Sequence, residues 1–342
     1  IANRLSCLSV LFRQLYLNTG LLYSLLLFPL LSHIIVTHTD FLCCFFAFSC
    51  ESVFAVIKSF YILRAASFAS LPALTEMRLM KTAVVTGGSS GIGLSCCRKF
   101  LENGYRVYEL SRREPKIQTV GIKHISCDVT DEHSVSEAFK EIYNDSGRID
   151  ILVNNAGFGI SGAVEFTELS DAKKQFDVNF FGCFICSKNV IKYMRLQGGG
   201  RIVNLSSLAA PLAIPFQAFY SASKAAVNSL TLALANELRP FNIKVCAVMP
   251  GDVKTGFTAA REKNTTGNEF YGETLKRAVA GMERDEQNGM SPDAIADAVY
   301  TAATKTRPRL LSTKGAKYHL FLALSKALPV SLVNIIVGKL YS

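Results

Sequence analysis

The residues best suited to chemistry in this chain are Tyr220 and Lys224, four positions apart, with Ser207 thirteen positions before the tyrosine. The stretch Tyr220-Ser221-Ala222-Ser223-Lys224 is compatible with a helix, and four residues make just over one turn, so the phenol and the ammonium share a face. Hydride transfer to a carbonyl leaves an alkoxide that needs a proton. A phenol with an ordinary pKa of about 10 is a poor partner near neutrality unless nearby positive charge favours its phenolate. Lowering it toward 7 asks for about 4 kcal/mol, which a close cation in a partly dry site can supply. Ser207 follows the apolar run Arg201–Leu205, at the carboxyl end of a predicted strand, where open α/β sheets gather their ligands. There its hydroxyl would donate to the substrate oxygen, with Ser206 as the adjacent alternative.

A second group of residues suits a dinucleotide. Thr86-Gly87-Gly88-Ser89-Ser90-Gly91-Ile92-Gly93 joins an apolar strand to a helix. Glycine lets the backbone take positive φ and approach a ligand closely, and the helix start offers free N–H groups to a pyrophosphate. The spacing is GxxxGxG, unlike the GxGxxG of many dehydrogenases. The next strand ends in Glu109-Leu110-Ser111-Arg112-Arg113, where the adenosine ribose is expected. Guanidinium groups there fit a 2′-phosphate, so NADP(H) is expected over NAD(H). Glu109 would reverse that preference if the register were shifted by two.

These groups need a scaffold, and from Lys81 onward the sequence supplies one. Apolar strands are predicted at Ala83–Val85, Arg106–Leu110, Ile122–Cys127, Ile151–Val153, Arg201–Leu205, Ile243–Val248 and Arg309–Leu311. Helices are predicted at Ile92–Asn103, Glu132–Asp145, Leu169–Leu196, Phe216–Leu238 and Pro292–Thr304. The alternation implies an α/β fold, a Rossmann-like doubly wound parallel sheet with helices on both faces, in one domain spanning residues 80–342.

Several motifs follow one another in a fixed order. They are the glycine loop, Asp128-Val129, Asn154-Asn155-Ala156-Gly157, Asn179, Ser207, Tyr220 with Lys224, and Pro250-Gly251 with Thr255. In that order they resemble the short-chain dehydrogenase/reductase superfamily, over essentially Lys81 to the C-terminus. The thirteen-residue spacing typical of the family selects Ser207 over Ser206, and Ser111 stands where NAD-preferring relatives carry Asp. The resemblance implies a catalytic set of Asn179, Ser207, Tyr220 and Lys224. Tyr220 would act as general acid/base, Lys224 would hold the ribose, and Asn179 would stabilise a local helix distortion and complete a proton relay. The implied cofactor contacts are Gly87, Ser89, Ser90, Gly91, Ile92, Gly93, Arg112, Arg113, Asp128, Val129, Asn155, Ala156, Gly157, Tyr220, Lys224, Pro250, Gly251, Val253 and Thr255. No metal is required. The resemblance also implies a homodimer or homotetramer built on the helices that carry Asn179 and Tyr220. Two other readings use many of the same residues: a catalytically silent NADP-binding sensor, and a sugar-nucleotide epimerase of the extended branch, whose TGxxGxxG spacing is absent.

Substrate contacts are expected from Phe158–Gly162, Ala209–Phe219 and the long polar stretch from Thr255 to about Gly289, which has the length of a lid. The first two are apolar, pointing to a hydrophobic ketone, aldehyde or secondary alcohol. The apolar stretch Tyr318–Leu340 is split by Pro329; it could cover the site, contact a second subunit or lie on a membrane surface.

Of the 342 residues, 49% are apolar and 19% charged, which suits a packed core and excludes a disordered chain. The net charge of +10 is spread without a basic run, so no nucleic acid partner is expected. Residues 1–79 differ in character. They hold one glycine and an interrupted apolar run, Leu21–Val36, short of the roughly 20 residues of a spanning helix. They are read as an untranslated upstream segment, with a targeting peptide, or an anchor through residues 21–63, as alternatives; an anchor is expected only if residues 1–79 are retained. The ten cysteines form no zinc set, and the CxxC of Cys183 and Cys186 lies in an apolar helical stretch. Buried thiols in a reducing, cytoplasmic setting are expected.

Overall fold

A computed structural model describes residues 80–341 apart from 116–117 and 267. The apolar leader, with Cys7, Cys43, Cys44, Cys50 and the anchor placed on residues 21–63, lies outside the described residues. In chain order the strands are β1 (Thr82–Thr86), β2 (Arg106–Ser111), β3 (Ile122–Ser126), β4 (Ile151–Asn154), β5 (Ile160–Ser161), β6 (Gly200–Leu205), β7 (Ile243–Val248), β8 (Glu262–Lys263) and β9 (Leu311–Ser312). Seven of them form one sheet in the order β3-β2-β1-β4-β6-β7-β9, while β5 and β8 make a separate short ladder. Every pairing is parallel.

The helices are α1 (Gly91–Glu102), α2 (Glu132–Ser146), α3 (Leu169–Phe176), α4 (Gly182–Leu196), α5 (Ala209–Leu212), α6 (Ala218–Glu237), α7 (Phe257–Ala260), α8 (Asn268–Gln287), α9 (Pro292–Thr304), α10 (Ala316–Ala327) and α11 (Val330–Leu340). Side chains alternate across a strand, so one strand feeds two cores. Val84 of β1 packs with Leu152, Ile202, Phe139 and Val190 under α2 and α4. Its neighbours Ala83 and Val85 pack with Phe100, Ile295 and Val299 under α1 and α9. Because β1 is covered on both faces, all five of its residues are buried. Helix starts follow their capping residues. Asp131 accepts from His133 N at 3.0 Å ahead of α2, and Ser291 accepts from Ala294 N at 3.2 Å ahead of α9, with Pro292 in its first turn.

Three expectations change. The single helix expected over Leu169–Leu196 is broken by a π-helical turn at Asp177–Phe181, between α3 and α4. The polar stretch after Thr255 is no plain loop. It folds into α7, β8 and a kinked α8, and β8 ties it to β5 through the pairs Ile160–Glu262 and Ser161–Lys263. The last strand lies at Leu311–Ser312, fixed by pairing with Ala247 and Val248 of β7. The six described cysteines are all free and buried. Burial pushes Cys96 and Cys183 up to about 12 and Cys127 to about 11, as inert core thiols require.

Candidate active site

The strand order reverses between β1 and β4, and the crevice at their carboxyl ends is where such sheets bind ligands. β1 delivers the glycine loop to that point. Gly87 turns the chain at φ +64°, and its N–H bonds Leu110 O at 2.7 Å, tying the loop to β2. Gly93 lets α1 lie against the loop, because a Cβ there would stand 2.2 Å from Gly87 O and 2.5 Å from Asn155 Nδ2. Asn155 braces the same turn, donating from Nδ2 to Thr86 O at 3.0 Å and to Gly87 O at 3.1 Å. Thr86 Oγ1 in turn accepts from the N–H groups of Asn155 and Ala156, both at 3.0 Å. Ser90, the N-cap of α1, makes no side-chain bond to the first turn. A cradle of glycines and free helix-start N–H groups is what a pyrophosphate fits.

β2 ends at Ser111, and Arg112 and Arg113 follow it as exposed residues on the crevice rim. Glu109 is not at that rim. It is 1% exposed, lies beneath the glycine loop, and pairs with His124 of β3, while Ser111 Oγ bonds its Oε1 at 3.2 Å. The carboxylate that would have favoured NAD is thus committed to the sheet.

The catalytic candidates come from β6, α6 and the π-helical turn. Ser207 lies just beyond β6, where its Oγ accepts from Ala209 N at 3.1 Å and its hydroxyl stands near enough to the Tyr220 phenol to favour the phenolate. Lys224 is buried one turn after Tyr220; its Nζ sits 5.8 Å from the phenol ring centre and donates to Leu205 O at 2.7 Å. Burial alone pulls Lys224 down to about 8. Burial also pushes Tyr220 up to about 12, Glu286 adds to that rise, and the Ser207 hydrogen bond and Arg261 oppose it. The lowering toward 7 expected from the sequence is therefore not produced by the side chains around the phenol. The ammonium lies over the ring and is bonded to a carbonyl.

Asn179 occupies the middle of the π-helical turn and is 1% exposed. Its Oδ1 accepts from Phe158 N at 3.0 Å, and its Nδ2 donates to Phe158 O at 3.0 Å and Ser223 Oγ at 3.1 Å. The widened turn is thereby stitched to the loop after β4 and to α6. A Cβ on Gly157 would meet Asn179 Oδ1 at 3.0 Å and Lys224 Nζ at 3.6 Å, so all three groups meet at this loop.

Two features depend on contacts that the sequence did not place, although Tyr318–Leu340 was read as one that could cover the site. Arg261 has a fully buried side chain paired with Glu286, and Thr258 Oγ1 also bonds Glu286, at 2.6 Å. This cluster reaches Tyr220 through Phe257, whose ring centre is 5.8 Å from the phenol's. The other is the roof. Tyr318 of α10 packs on Gly251, donates to Asp252 Oδ2 at 2.8 Å and accepts from Asp252 N at 3.1 Å, which clamps α10 over the loop after β7. A cleft of about 1030 Å³ runs from the glycine loop past Ser207, Tyr220 and Lys224 to walls made by Phe321, Leu328 and Val333 of the C-terminal segment. Most of the expected residues line it, among them Ser89, Gly91, Ile92, Asp128, Val129, Ala156, Pro250, Val253 and Thr255. Gly93 and Asn179 do not; both sit behind the wall they shape.

The family model for short chain dehydrogenase matches residues 81–266. A 3-ketodihydrosphingosine reductase of Bacteroides thetaiotaomicron is 39% identical over 246 residues, covering 71% of this chain and 91% of that protein. Among solved structures, ElxO with NADP bound is 28% identical, with a TM-score of 0.59, covering 71% of this chain and all of that one. The ligand-free aldohexose dehydrogenase of Thermoplasma acidophilum is 29% identical, with a TM-score of 0.58, covering 68% and 91%. With the parallel sheet, the glycine cradle and these matches in agreement, the chain belongs to the short-chain dehydrogenase family of oxidoreductases.

Proposed function

We propose that this oxidoreductase reduces a ketone carried on a long apolar tail, with NADPH as the hydride donor. The observation that carries the reading is the continuity of the cleft, from a polar nucleotide cradle, past a phenol and a serine hydroxyl, into apolar walls on α10 and α11. The similar reductase of Bacteroides thetaiotaomicron supports the substrate class by its name. The cofactor choice rests on Arg112 and Arg113, exposed at the rim with no side-chain partner among the described residues, and on the buried position of Glu109. An NADP-bound neighbour supports it.

When bound, NADPH supplies the hydride. Ser207 donates a hydrogen bond to the carbonyl oxygen and stabilises negative charge as it develops. Tyr220 gives its proton to that oxygen, and Lys224, over the ring, holds positive charge against the phenolate left behind. Asn179 is a positioning residue, fixing Phe158 and the π-helical turn against α6. Phe181 and Phe184 by α4 and Leu232 on α6 are exposed, which supports a homodimer or homotetramer formed through these two helices.

The test is oxidation of NADPH and NADH by the full chain across ketones of increasing tail length, with Tyr220→Phe alongside. Expected is a preference for NADPH, a kcat/KM that climbs with tail length, and a loss of about 10³-fold in the variant. A kcat/KM independent of tail length would remove the substrate class. Tight NADPH binding without turnover of any ketone would favour the sensor reading.

A further inference from the structure

The C-terminal helices have two apolar sides. The inner side roofs the cleft, with Tyr318 and Val337 buried. On the outer side, α11 exposes Leu332, Ile335, Ile336 and Leu340, spaced as one helical face, and α10 exposes Leu320 and Leu324 one turn apart. Val330, the first residue of α11, is 84% exposed and Ile335 is 54% exposed. A helix that is apolar all round is normally covered.

The surrounding charge says by what. From residue 298 to the C-terminus the sequence has five lysines and two arginines and no Asp or Glu. Lys317 and Lys326 stand on α10 and Lys339 on α11, all exposed. A basic rim around an apolar face suits the headgroups and acyl chains of an anionic lipid surface. At 12 and 11 residues, with Pro329 between them, α10 and α11 are too short to cross a bilayer, which takes about 20 residues. No helix among the described residues is long and apolar enough to span one. Leu324, Ile336 and Leu340 are both exposed and part of the cleft wall, so the exposed face is continuous with the mouth of the site.

We propose that α10 and α11 form an interfacial docking surface that seats the protein on an anionic lipid bilayer, with the cleft mouth turned toward the acyl chains. The surface lies outside the leader and selects, from the three readings left open for Tyr318–Leu340, the one that lies on a membrane surface. It stands whichever ketone the cleft accepts, and vesicle binding needs no turnover.

The experiment is co-sedimentation of the full chain with vesicles of phosphatidylcholine alone or with phosphatidylglycerol added. Three forms are compared: the natural chain, the quadruple variant Leu320→Gln, Val330→Gln, Leu332→Gln, Ile335→Gln, and the double variant Lys326→Glu, Lys339→Glu. The six positions are exposed and none lines the cleft. Expected for the natural chain is at least about ten-fold tighter binding to the anionic vesicles. The quadruple variant should lose at least about ten-fold in binding, and the charge variant should lose the anionic preference. Both should keep the natural melting temperature and NADPH affinity; if the quadruple variant misfolds, the charge variant decides. Unchanged binding in both would place membrane contact in residues 1–79 and overturn the proposal. Absence of vesicle binding, with a dimer converted to monomer by the glutamine changes, would make this face a subunit interface and overturn it as well.

Discussion

Replacing Lys224 with methionine separates what burial costs from what the ammonium contributes to catalysis. Lys224 is 5% exposed, and its Nζ makes one hydrogen bond, to Leu205 O. Burial brings its pKa from 10.5 to about 8. The unfolded chain therefore keeps this proton up to about 10.5 while the native protein releases it near 8. Below pH 8 the native state carries the full penalty of a buried charge, about 3 kcal/mol. As pH rises from 8 to 10.5 the unfolded chain binds more protons than the native one, so stability rises and the penalty is relieved. Between pH 7 and pH 10 the natural protein should gain about 2.5 kcal/mol relative to Lys224→Met. The methionine leaves Leu205 O unpaired, a pH-independent cost of about 1–3 kcal/mol that offsets the two curves without changing their divergence. Urea unfolding of the full chain at four pH values across that window measures it. Stability curves that stay parallel would refute the reasoning, since the ammonium would then be solvated in the native state. In the same series, kcat/KM for reduction should fall above about pH 8 in the natural protein, as Lys224 loses its charge.

Two further predictions concern the cofactor. Arg112→Ala combined with Arg113→Ala should weaken NADPH binding by about 10–100-fold, the worth of a charge-assisted phosphate contact, and leave NADH binding unchanged in calorimetry. Equal losses for both cofactors would show that the arginines do not read the 2′-phosphate. Gly93→Ala should abolish nucleotide binding and lower stability by about 1–3 kcal/mol in thermal unfolding, because its Cβ would stand 2.2 Å from Gly87 O. Retained NADPH affinity would mean that the loop and α1 can separate without disturbing the cradle.

What was legible in the sequence is what one local segment carries. The glycine loop lies between β1 and α1 as expected, and Tyr220 and Lys224 share α6, because strand, turn and helix periodicities are properties of neighbouring residues. The parallel sheet followed from the alternation of those segments. The break at Asp177–Phe181 was legible only through the family resemblance, at Asn179, since one extra residue in a turn barely disturbs the apolar spacing of a 28-residue helical pattern. Arg261 beside Glu262 and Lys263 reads as part of a solvated charge cluster. Its burial depends on Glu286, twenty-five residues on, and the roof depends on Tyr318 meeting Asp252 across 66 residues. Contacts at such distances leave no periodic trace.

The same long-range contacts bear on the protonation of the phenol. A lowered phenol pKa was expected from Lys224 together with the positive charge of the nicotinamide. Burial and Glu286 instead hold the phenol near 12, against the opposing pull of Ser207 and Arg261. At pH 7 a group of that pKa is protonated, and taking the proton off beforehand would cost about 7 kcal/mol. Oxidation of an alcohol needs a proton acceptor, and the positive charge of an oxidised nicotinamide beside the phenol would offset part of this cost. A reductase starts from the phenol, and the alkoxide formed on its substrate is basic enough to take the proton from it. Lys224, charged below about 8, then faces a newly formed phenolate in a dry site, where the attraction between them is strongest. The same groups serve both directions, and the side chains alone keep the phenol in its proton-donor form at neutral pH.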